Sequence, residues 1–227
     1  MAIRIDGKAL AAKVKARAAE GGRTLSRRPG LAVILVGEDP ASRVYVTGKE
    51  RDCAECGFLS FEHKLPVETT QETLLELIGR LNRDDAVDGI LIQLPLPGHL
   101  DEEAVLNAID PEKDVDCFHP VNVGRLVIGD PVFLPCTPAG VMEMLKEYEI
   151  PVRGRQCVVL GRSNIVGKPM AALLLQQDGT VITCHSRTPD LARYTREADI
   201  LVSAVGRTGL VSADMVKEGA VVIDVAM

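Results

Sequence analysis

The sequence is poor in aromatic residues and has no block of basic ones. Its 227 residues include three tyrosines, four phenylalanines and no tryptophan, and the formal net charge is −6. Proteins that bind nucleic acid carry basic patches and stacking aromatic side chains, so this composition argues against a nucleic-acid partner. A hydrophobic content of 46% with 26% charged residues is typical of a globular protein with a sizeable core.

Long apolar runs are also missing. No stretch approaches the roughly 20 apolar residues that a membrane-spanning helix needs. The N-terminus, MAIRIDGKAL, lacks the apolar centre of a secretory signal peptide. We therefore expect a cytoplasmic protein that has no membrane partner.

The six cysteines and four histidines lack the spacing of a metal site or a disulfide framework. Cys53 and Cys56 form a single C-x-x-C pair with no second pair beside it, and helix packing explains that spacing more simply. Cys157 and Cys184 fall in apolar strands, where cysteine behaves as a small hydrophobic residue. The sequence therefore predicts no metal.

The first half of the chain alternates strands and helices. After a helix over Gly7–Ala19, capped by Asp6 and stopped at Gly21-Gly22, the pattern predicts strands at 31–37, 58–65 and 89–94 and helices at 40–56, 71–82 and 101–109. Such alternation is typical of a parallel sheet covered by helices. A carboxylate-rich loop follows at 110–120, and a second irregular segment at 129–138 leads into a helix that ends at Tyr148.

A second series of the same kind starts at Gln156. Its predicted strands lie at 156–160, 181–184, 200–205 and 220–225, with a helix at 170–177. The fold class is therefore α/β with two lobes: an N-terminal parallel-sheet domain at 1–120 and a C-terminal Rossmann-type domain at 121–227, with a cleft between them. The stretch from 120 to about 150 is expected to connect the lobes and to permit movement. The chain ends directly after a strand, which favours a native protein that continues past Met227.

A glycine turn joins the first strand of the second series to its helix. Gly161 and Gly167 bracket this turn, and a strand–turn–helix unit of this kind points backbone N–H groups at a phosphate. The spacing is Gly-x-x-x-x-x-Gly rather than G-x-G-x-x-G, so an ordinary strand–helix turn is an equally good interpretation of the motif alone.

The residues after the next strand favour NADP over NAD. An NAD site places a carboxylate on the ribose about 20 residues after the turn, whereas this chain has His185-Ser186-Arg187 there, and Arg162 in the turn itself. Guanidinium groups pair with phosphate in a bidentate manner, which suits the 2′-phosphate of NADP. The alternative is that Arg187 is a solvated surface residue.

A candidate catalytic set lies in the first series. Tyr45 and Lys49 are four residues apart on a helix and so share one face. Gln93 ends the third strand, at the edge where open α/β sheets bind ligands, and Asp116 lies in the carboxylate-rich loop. Spacing alone allows plainer roles: a packed tyrosine, an exposed lysine, a glutamine that bonds loop backbone and a turn-forming aspartate.

Six motifs in order resemble the bifunctional methylenetetrahydrofolate dehydrogenase/methenyltetrahydrofolate cyclohydrolase family over essentially the whole chain. They are Ser42-Arg-Val-Tyr45-Val-Thr-Gly-Lys49, Gly89-Ile-Leu-Ile-Gln-Leu-Pro-Leu-Pro97, Pro111-Glu-Lys-Asp-Val-Asp116, Pro135-Cys-Thr-Pro-Ala-Gly140, Gly161-Arg-Ser-Asn-Ile-Val-Gly-Lys-Pro169 and Thr183-Cys-His-Ser-Arg187.

The resemblance implies an NADP-dependent oxidation of 5,10-methylenetetrahydrofolate and hydrolysis of the methenyl product to 10-formyltetrahydrofolate, in the one-carbon metabolism that serves purine biosynthesis. It implies Lys49 as the catalytic lysine, Tyr45 and Gln93 as its partners, and Asp116 as the residue that binds the pterin. Further substrate contacts fall on Leu94 and Pro95. Cofactor contacts fall on Gly161, Arg162, Ser163, Gly167, Ser186 and Met227, and the family implies a homodimer through the NADP lobe.

The sequence departs from the family at three points. Cys117 and Ala226 stand where the family usually has glycine, and the family's later Pro-Gly-Gly-Val-Gly-Pro loop and final helix are absent. These departures leave open a truncated, inactive homologue that binds folate or NADP without turnover. Two further alternatives are an NADP dehydrogenase resembling shikimate dehydrogenase and a monofunctional methylenetetrahydrofolate dehydrogenase without cyclohydrolase activity.

Overall fold

The chain forms two compact α/β units. The computed structural model describes residues 2–225, apart from the side chains of residues 41 and 43. One unit comprises Asp6–Asn122, and the other comprises Val123–Met227 with Met1–Ile5. We call them the N-terminal unit and the C-terminal unit. Met227 and Ala226, named above as a cofactor contact and a departure, lie outside the described residues.

The N-terminal unit contains a three-stranded parallel sheet covered by helices. Its elements are α1 (Gly7–Arg23), β1 (Gly30–Val36), α2 (Pro40–Cys56), β2 (Leu59–Leu65), α3 (Gln71–Arg83), β3 (Gly89–Ile92) and α4 (Glu102–Asn107). The strand order is β2-β1-β3, and β1 pairs in parallel with both neighbours. The α/β fold expected from the alternating pattern is therefore confirmed.

The central strand β1 is buried on both faces, which explains its continuous apolar sequence. Ala32 and Ile34 contribute to a core cluster with the apolar face of α3 and with α4. Val33 and Leu35 point to the other face and pack with Val46 of α2. Each aliphatic side chain buried in this way contributes about 1.5–3 kcal/mol.

Helix α1 continues through the two glycines that were expected to stop it. It ends at Arg23 rather than at Ala19. A Cβ atom on Gly22 would lie 2.7 Å from Cε1 of Phe58, so glycine here lets the Phe58 ring pack against the helix. The expected stop was wrong because close packing, and not a turn, requires this glycine.

The C-terminal unit contains a four-stranded parallel sheet. Its elements are α6 (Cys136–Glu147), β4 (Gln156–Leu160), α7 (Gly167–Gln176), β5 (Thr180–Cys184), α8 (Leu191–Thr195), β6 (Ile200–Ser203), a 3₁₀ turn (Ala213–Met215) and β7 (Val221–Asp224). The strand order is β5-β4-β6-β7, which matches the expected Rossmann-type arrangement.

The connecting stretch is largely helical. Helix α5 (Pro120–Ile128), which the sequence pattern did not predict, begins in the N-terminal unit and continues in the C-terminal unit. The backbone carbonyl of Leu126 accepts a hydrogen bond from Gln176 of α7, and α6 also packs against α7. These contacts make residues 123–147 part of the C-terminal unit.

An aspartate accepts a hydrogen bond from the first amide of a central strand in each of the two sheets. Asp88, just before β3, accepts from the amide of Gly30 at the start of β1 (2.8 Å). Asp199, just before β6, accepts from the amide of Gln156 at the start of β4 (2.8 Å). In both units the carboxylate therefore ties the first residue of the central strand to its neighbour.

Among residues 2–225 no helix has the length and apolar content needed to cross a membrane. All six cysteines are free thiols. Burial, and then the neighbouring Cys56, raise the pKa of the Cys53 thiol, which fits a packing role for the C-x-x-C pair.

Candidate active site

Helix α2 presents Lys49 on the face that packs against the sheet. Asp39 caps the helix by accepting from the amide of Ser42 (2.8 Å), and Pro40 occupies its first position. Ser42, Val46 and Cys53 are buried along one side of α2. Lys49 lies three residues after Val46, so the helical repeat places it on the same side.

Lys49 reaches the carboxyl edge of the sheet and contacts Gln93 there. Its Nζ donates to Oε1 of Gln93 (3.1 Å), and Nε2 of Gln93 donates to the carbonyl of Leu94 (2.8 Å). The second bond fixes the amide so that its oxygen faces the lysine. The backbone of Gln93 is also fixed, because its amide donates to the carbonyl of Ile34 in β1 (2.9 Å).

The other residues expected near the folate lie on the same two segments. Tyr45 lies one helical turn before Lys49 and is 40% exposed, which leaves its ring accessible to a ligand. Leu94 and Pro95 follow Gln93 directly and are joined by a cis peptide bond. Leu94 packs against the core of the unit, whereas Pro95 is exposed.

Asp116 lies in a loop that runs beside β3. Asp114 forms a parallel bridge with Ile90, and the amide of Ile90 donates to the carbonyl of Lys113 (2.7 Å). The loop and β3 run in the same direction from this bridge. Asp116 lies two residues beyond Asp114, just as Ile92 and Gln93 lie two and three residues beyond Ile90. The loop therefore brings the half-buried Asp116 towards the strand end that carries Gln93.

The residue after Asp116 adopts a left-handed conformation. Cys117 has φ of 59° and is completely buried. A non-glycine residue in this region costs about 1 kcal/mol or more. The family's usual glycine therefore corresponds to a real conformational requirement, and in this chain the turn forms with cysteine in its place.

The glycine turn of the C-terminal unit is a tight backbone-to-backbone contact. Gly161 has φ of +112°, and a Cβ on it would lie 2.6 Å from the carbonyl oxygen of Ala204. A Cβ on Gly167 would lie 2.4 Å from the carbonyl oxygen of Gly161. No larger residue fits either position without displacing backbone. Helix α7 consequently begins at Gly167, three residues before its expected start.

The amides at the start of α7 are used inside the protein. Oγ of Ser163 accepts from the amides of Val166 and Gly167 (both 3.2 Å), and the carbonyl of Ser163 accepts from Lys168 (3.0 Å). In contrast, the amides of residues 162–165 donate to no acceptor among residues 2–225. The donors available to a phosphate are therefore those of the exposed turn. The first turn of the helix, where they were expected, has none to offer because its amides bond within the protein.

Two arginines lie at the same sheet edge as this turn. Leu160 of β4 pairs with Cys184 of β5, so Arg162 and Ser186 follow neighbouring strand ends. Arg162, Ser186 and Arg187 are exposed, and neither guanidinium forms an ion pair within the described part of the chain. The amide donors of the turn, the positive charge of the two arginines and the close-packed glycines Gly161 and Gly167 together fit a dinucleotide phosphate.

Models of two protein families match the two halves of the chain. Residues 5–116 match the tetrahydrofolate dehydrogenase/cyclohydrolase catalytic domain, and residues 135–227 match the NAD(P)-binding domain of the same enzymes. The chain belongs to the tetrahydrofolate dehydrogenase/cyclohydrolase family.

Relatives of known name and structure agree with this assignment. The bifunctional protein FolD of Acetivibrio thermocellus is 59% identical over 226 residues, which are 98% of this chain and 79% of the relative. The crystal structure of FolD from Campylobacter jejuni aligns with a TM-score of 0.96 at 51% identity and covers 97% of this chain and 80% of that one. The Trypanosoma brucei enzyme, complexed with NADP cofactor and inhibitor, aligns at 0.94 and 44% identity over 99% and 79% of the two chains.

The shikimate dehydrogenase alternative has much weaker support. The Thermus thermophilus enzyme aligns with a TM-score of 0.50 at 21% identity and covers 86% of this chain and 78% of that one. A likeness at this level shows a shared fold alone.

Two buried polar residues beside Asp116 did not emerge from the sequence. Asp114 is 2% exposed and Asn122 is completely buried, and their side chains are hydrogen-bonded to each other. Asp114 belongs to a matching motif, but four carboxylates within the seven residues 110–116 gave no sign of which one is buried. Asn122 lies in the helix that the pattern missed.

Proposed function

We propose that this protein is a bifunctional enzyme of one-carbon metabolism. It oxidises 5,10-methylenetetrahydrofolate to 5,10-methenyltetrahydrofolate with NADP and then hydrolyses that product to 10-formyltetrahydrofolate. The observation that carries the proposal is the Lys49–Gln93 contact at the sheet edge of a chain that belongs to this family throughout its length.

The folate site comprises the residues gathered around that contact. Asp116 accepts hydrogen bonds from the amino-substituted edge of the pterin, because a carboxylate is an acceptor suited to such donors. The exposed ring of Tyr45 stacks on the flat face of the folate. Leu94 and Pro95 complete the binding surface on the strand-end side.

Oxidation removes a hydride from the methylene bridge and leaves a cationic methenyl bridge. NADP supplies the hydride acceptor. Lys49 in its neutral form is compatible with the new cation, whereas an ammonium beside it would oppose its formation. The carbonyl oxygen of Gln93 holds Nζ at a defined position, so the amine stays close to the bridge.

Hydrolysis uses the same lysine. Water attacks the methenyl carbon, a C–O bond forms, and Lys49 accepts a proton from the attacking water. The bond from that carbon to N5 then breaks as the formyl C=O forms on N10. N5 takes up a proton, and the complete reaction releases one proton to solvent.

The cofactor site lies at the glycine turn. The amides of residues 162–165 bind the pyrophosphate, and Arg162 with Ser186 binds the 2′-phosphate. Gly161 and Gly167 permit the close backbone approach, and Ser163 holds the turn because its Oγ accepts from the amides of Val166 and Gly167. Met227 is a further proposed cofactor contact, which the family resemblance alone supports.

The family resemblance also supports a cytoplasmic homodimer that pairs through the C-terminal unit and serves purine biosynthesis. Sedimentation of the purified protein tests the dimer.

The substitution Lys49→Met tests the role of the lysine. We expect it to lower the rate of methenyltetrahydrofolate hydrolysis by about 100-fold or more, because general acid–base catalysis contributes 10²–10⁴-fold. The measurement is the decay of methenyl absorbance, followed for the variant and the wild type.

Lys64→Met is the matched control, since Lys64 lies in the same unit but is 63% exposed in a surface ion pair with Glu62. It should retain wild-type hydrolysis. Full hydrolytic activity in Lys49→Met would refute the assignment of the catalytic lysine.

A further inference from the structure

A buried carboxyl group lies two residues before Asp116. Asp114 is 2% exposed, and its two oxygens accept three hydrogen bonds. Oδ1 accepts from the amide of Phe118 (3.2 Å), and Oδ2 accepts from the amide of His119 (2.9 Å) and from Nδ2 of Asn122 (2.9 Å). Two of these donors are backbone groups on the far side of Asp116.

Asn122 closes the arrangement from helix α5. Its Nδ2 also donates to the carbonyl of Pro111 (2.8 Å), so one amide group ties the start of the loop to Asp114. Its Oδ1 is buried and has no hydrogen-bond partner in the described structure. A buried unpaired acceptor costs about 1–3 kcal/mol, which an apolar side chain of similar size would avoid. Asn122 therefore ties Pro111 to Asp114 at the cost of an unpaired Oδ1.

The carboxyl group and the backbone of Asp114 hold the loop on both sides of Asp116. Before it, the parallel bridge to Ile90 aligns the loop with β3. After it, the carbonyl of Asp114 accepts from the amide of Cys117 (3.2 Å), and the carboxyl group accepts from the next two amides. The segment that carries Asp116 is therefore closed by three hydrogen bonds to a single buried residue.

We propose that Asp114 and Asn122 are positioning residues for Asp116. They contact neither the folate nor the cofactor, and they set the direction in which the Asp116 carboxylate meets the pterin. This inference rests on the proposed function of Asp116. Groups that orient a ligand-binding side chain through its supporting bonds commonly alter binding or activity by 10–100-fold when removed.

The test is a double-mutant cycle with Asp114→Asn and Asp116→Ala, read as KM for 5,10-methylenetetrahydrofolate. Asp114→Asn removes one acceptor oxygen and places an NH₂ group among donors. We expect a rise of about ten-fold in KM for the folate, with KM for NADP unchanged. If Asp114 acts through Asp116, Asp114→Asn adds less than about two-fold in the Asp116→Ala background, since coupled residues are not additive. Equal effects in both backgrounds would overturn the proposal.

Asp88→Asn is the matched control. Asp88 also accepts from a backbone amide in the N-terminal unit, but at the start of β1, away from the strand end that carries Gln93. It should lower the urea midpoint and leave KM for the folate unchanged. A similar rise in KM for Asp88→Asn would show that general loosening of the unit, and not positioning, causes the effect.

Two further measurements keep the outcome decisive. Asn122→Ala, which keeps Asp114 and its backbone bonds, should give a smaller rise in folate KM, and it replaces Asp114→Asn if that variant does not fold. Hydrogen exchange of the Phe118 and His119 amides needs no enzyme activity. The protection of these amides should be lower in Asp114→Asn than in the wild type, and unchanged protection would refute the positioning role of Asp114. Wild-type inactivity would count against the proposed function and leave the exchange result to decide the positioning role.

Discussion

Cys117 combines complete burial with a left-handed backbone beside Asp116. We expect Cys117→Val to lower the free energy of unfolding by about 2 kcal/mol or more, because a β-branched side chain is strongly disfavoured at positive φ. Cys117→Gly should change it by less than about 1 kcal/mol, since relief of strain offsets the loss of the buried thiol. Urea denaturation of both variants measures the difference.

The control for burial alone is Cys157→Val. Cys157 is equally buried but lies in the extended strand β4, where valine is favoured. If Cys117→Val and Cys157→Val cost the same, the backbone conformation at Cys117 would not be what limits that position.

Sequence predicted the central pair of the site but not its support. Lys49 and Gln93 belong to motifs placed at a helix face and at a strand end, and the structure joins them at 3.1 Å. The hydrogen bonds of Asp114 and Asn122 depend on how a loop folds back, for which neither periodicity nor motif spacing carries a signal. The pterin-binding role of Asp116 was assigned only through the family resemblance.

The glycine turn is the element on which cofactor binding depends most. We expect Gly167→Ala to abolish NADP binding or to weaken it by more than about ten-fold, because its Cβ would lie 2.4–2.7 Å from the backbone of Gly161 and Arg162. Titration calorimetry with NADP measures the change.

Gly124→Ala supplies the contrast. Gly124 lies exposed in α5, and a Cβ there meets no atom within 4 Å. This change should leave NADP affinity intact and raise stability by about 0.5–1 kcal/mol, since alanine favours a helix. Normal NADP affinity in Gly167→Ala would contradict the close-packed turn.

Most strands and helices were predicted close to their observed bounds, whereas two helix ends and one whole helix were not. The strand β1 and the helix α2 lie close to their expected bounds. The end of α1 and the start of α7 were wrong, because Gly22 and Gly167 are needed for tertiary approach rather than for a turn. Helix α5 was missed because it is only nine residues long and directly follows the irregular segment at 110–120, although Pro120 at its first position is a start signal.

Across the whole molecule, both sheets use an aspartate at the amino end of the central strand. In the C-terminal unit the Lys217 ammonium, and then the Gln156 amide, lower the pKa of Asp199. A lowered folded-state pKa gives stability above the unfolded value near 4, and this stability is lost as the pH falls through the folded pKa.

Asp199→Asn should therefore cost about 1 kcal/mol at pH 7, and its difference from wild type should disappear in strong acid. Urea midpoints between pH 7 and pH 3 follow the effect. Asp130→Asn, which removes a surface ion pair with Arg125, should cost less than about 0.5 kcal/mol at neutral pH. A pH-independent loss in Asp199→Asn would show that the carboxylate charge contributes nothing.

The chemistry of the whole chain combines a folate unit and an NADP unit, both anticipated from the sequence. The division falls at Asn122, inside α5, a helix that the sequence pattern did not predict.

The most direct test of the account is an absorbance assay on purified protein of verified intact mass. The protein receives 5,10-methylenetetrahydrofolate with NADP, the same substrate with NAD, and methenyltetrahydrofolate alone. We predict reduction of NADP in preference to NAD, and loss of the methenyl chromophore in the third reaction. Bound NADP without reduction, together with a stable methenyl signal, would contradict the account and favour a homologue that binds its ligands without turnover.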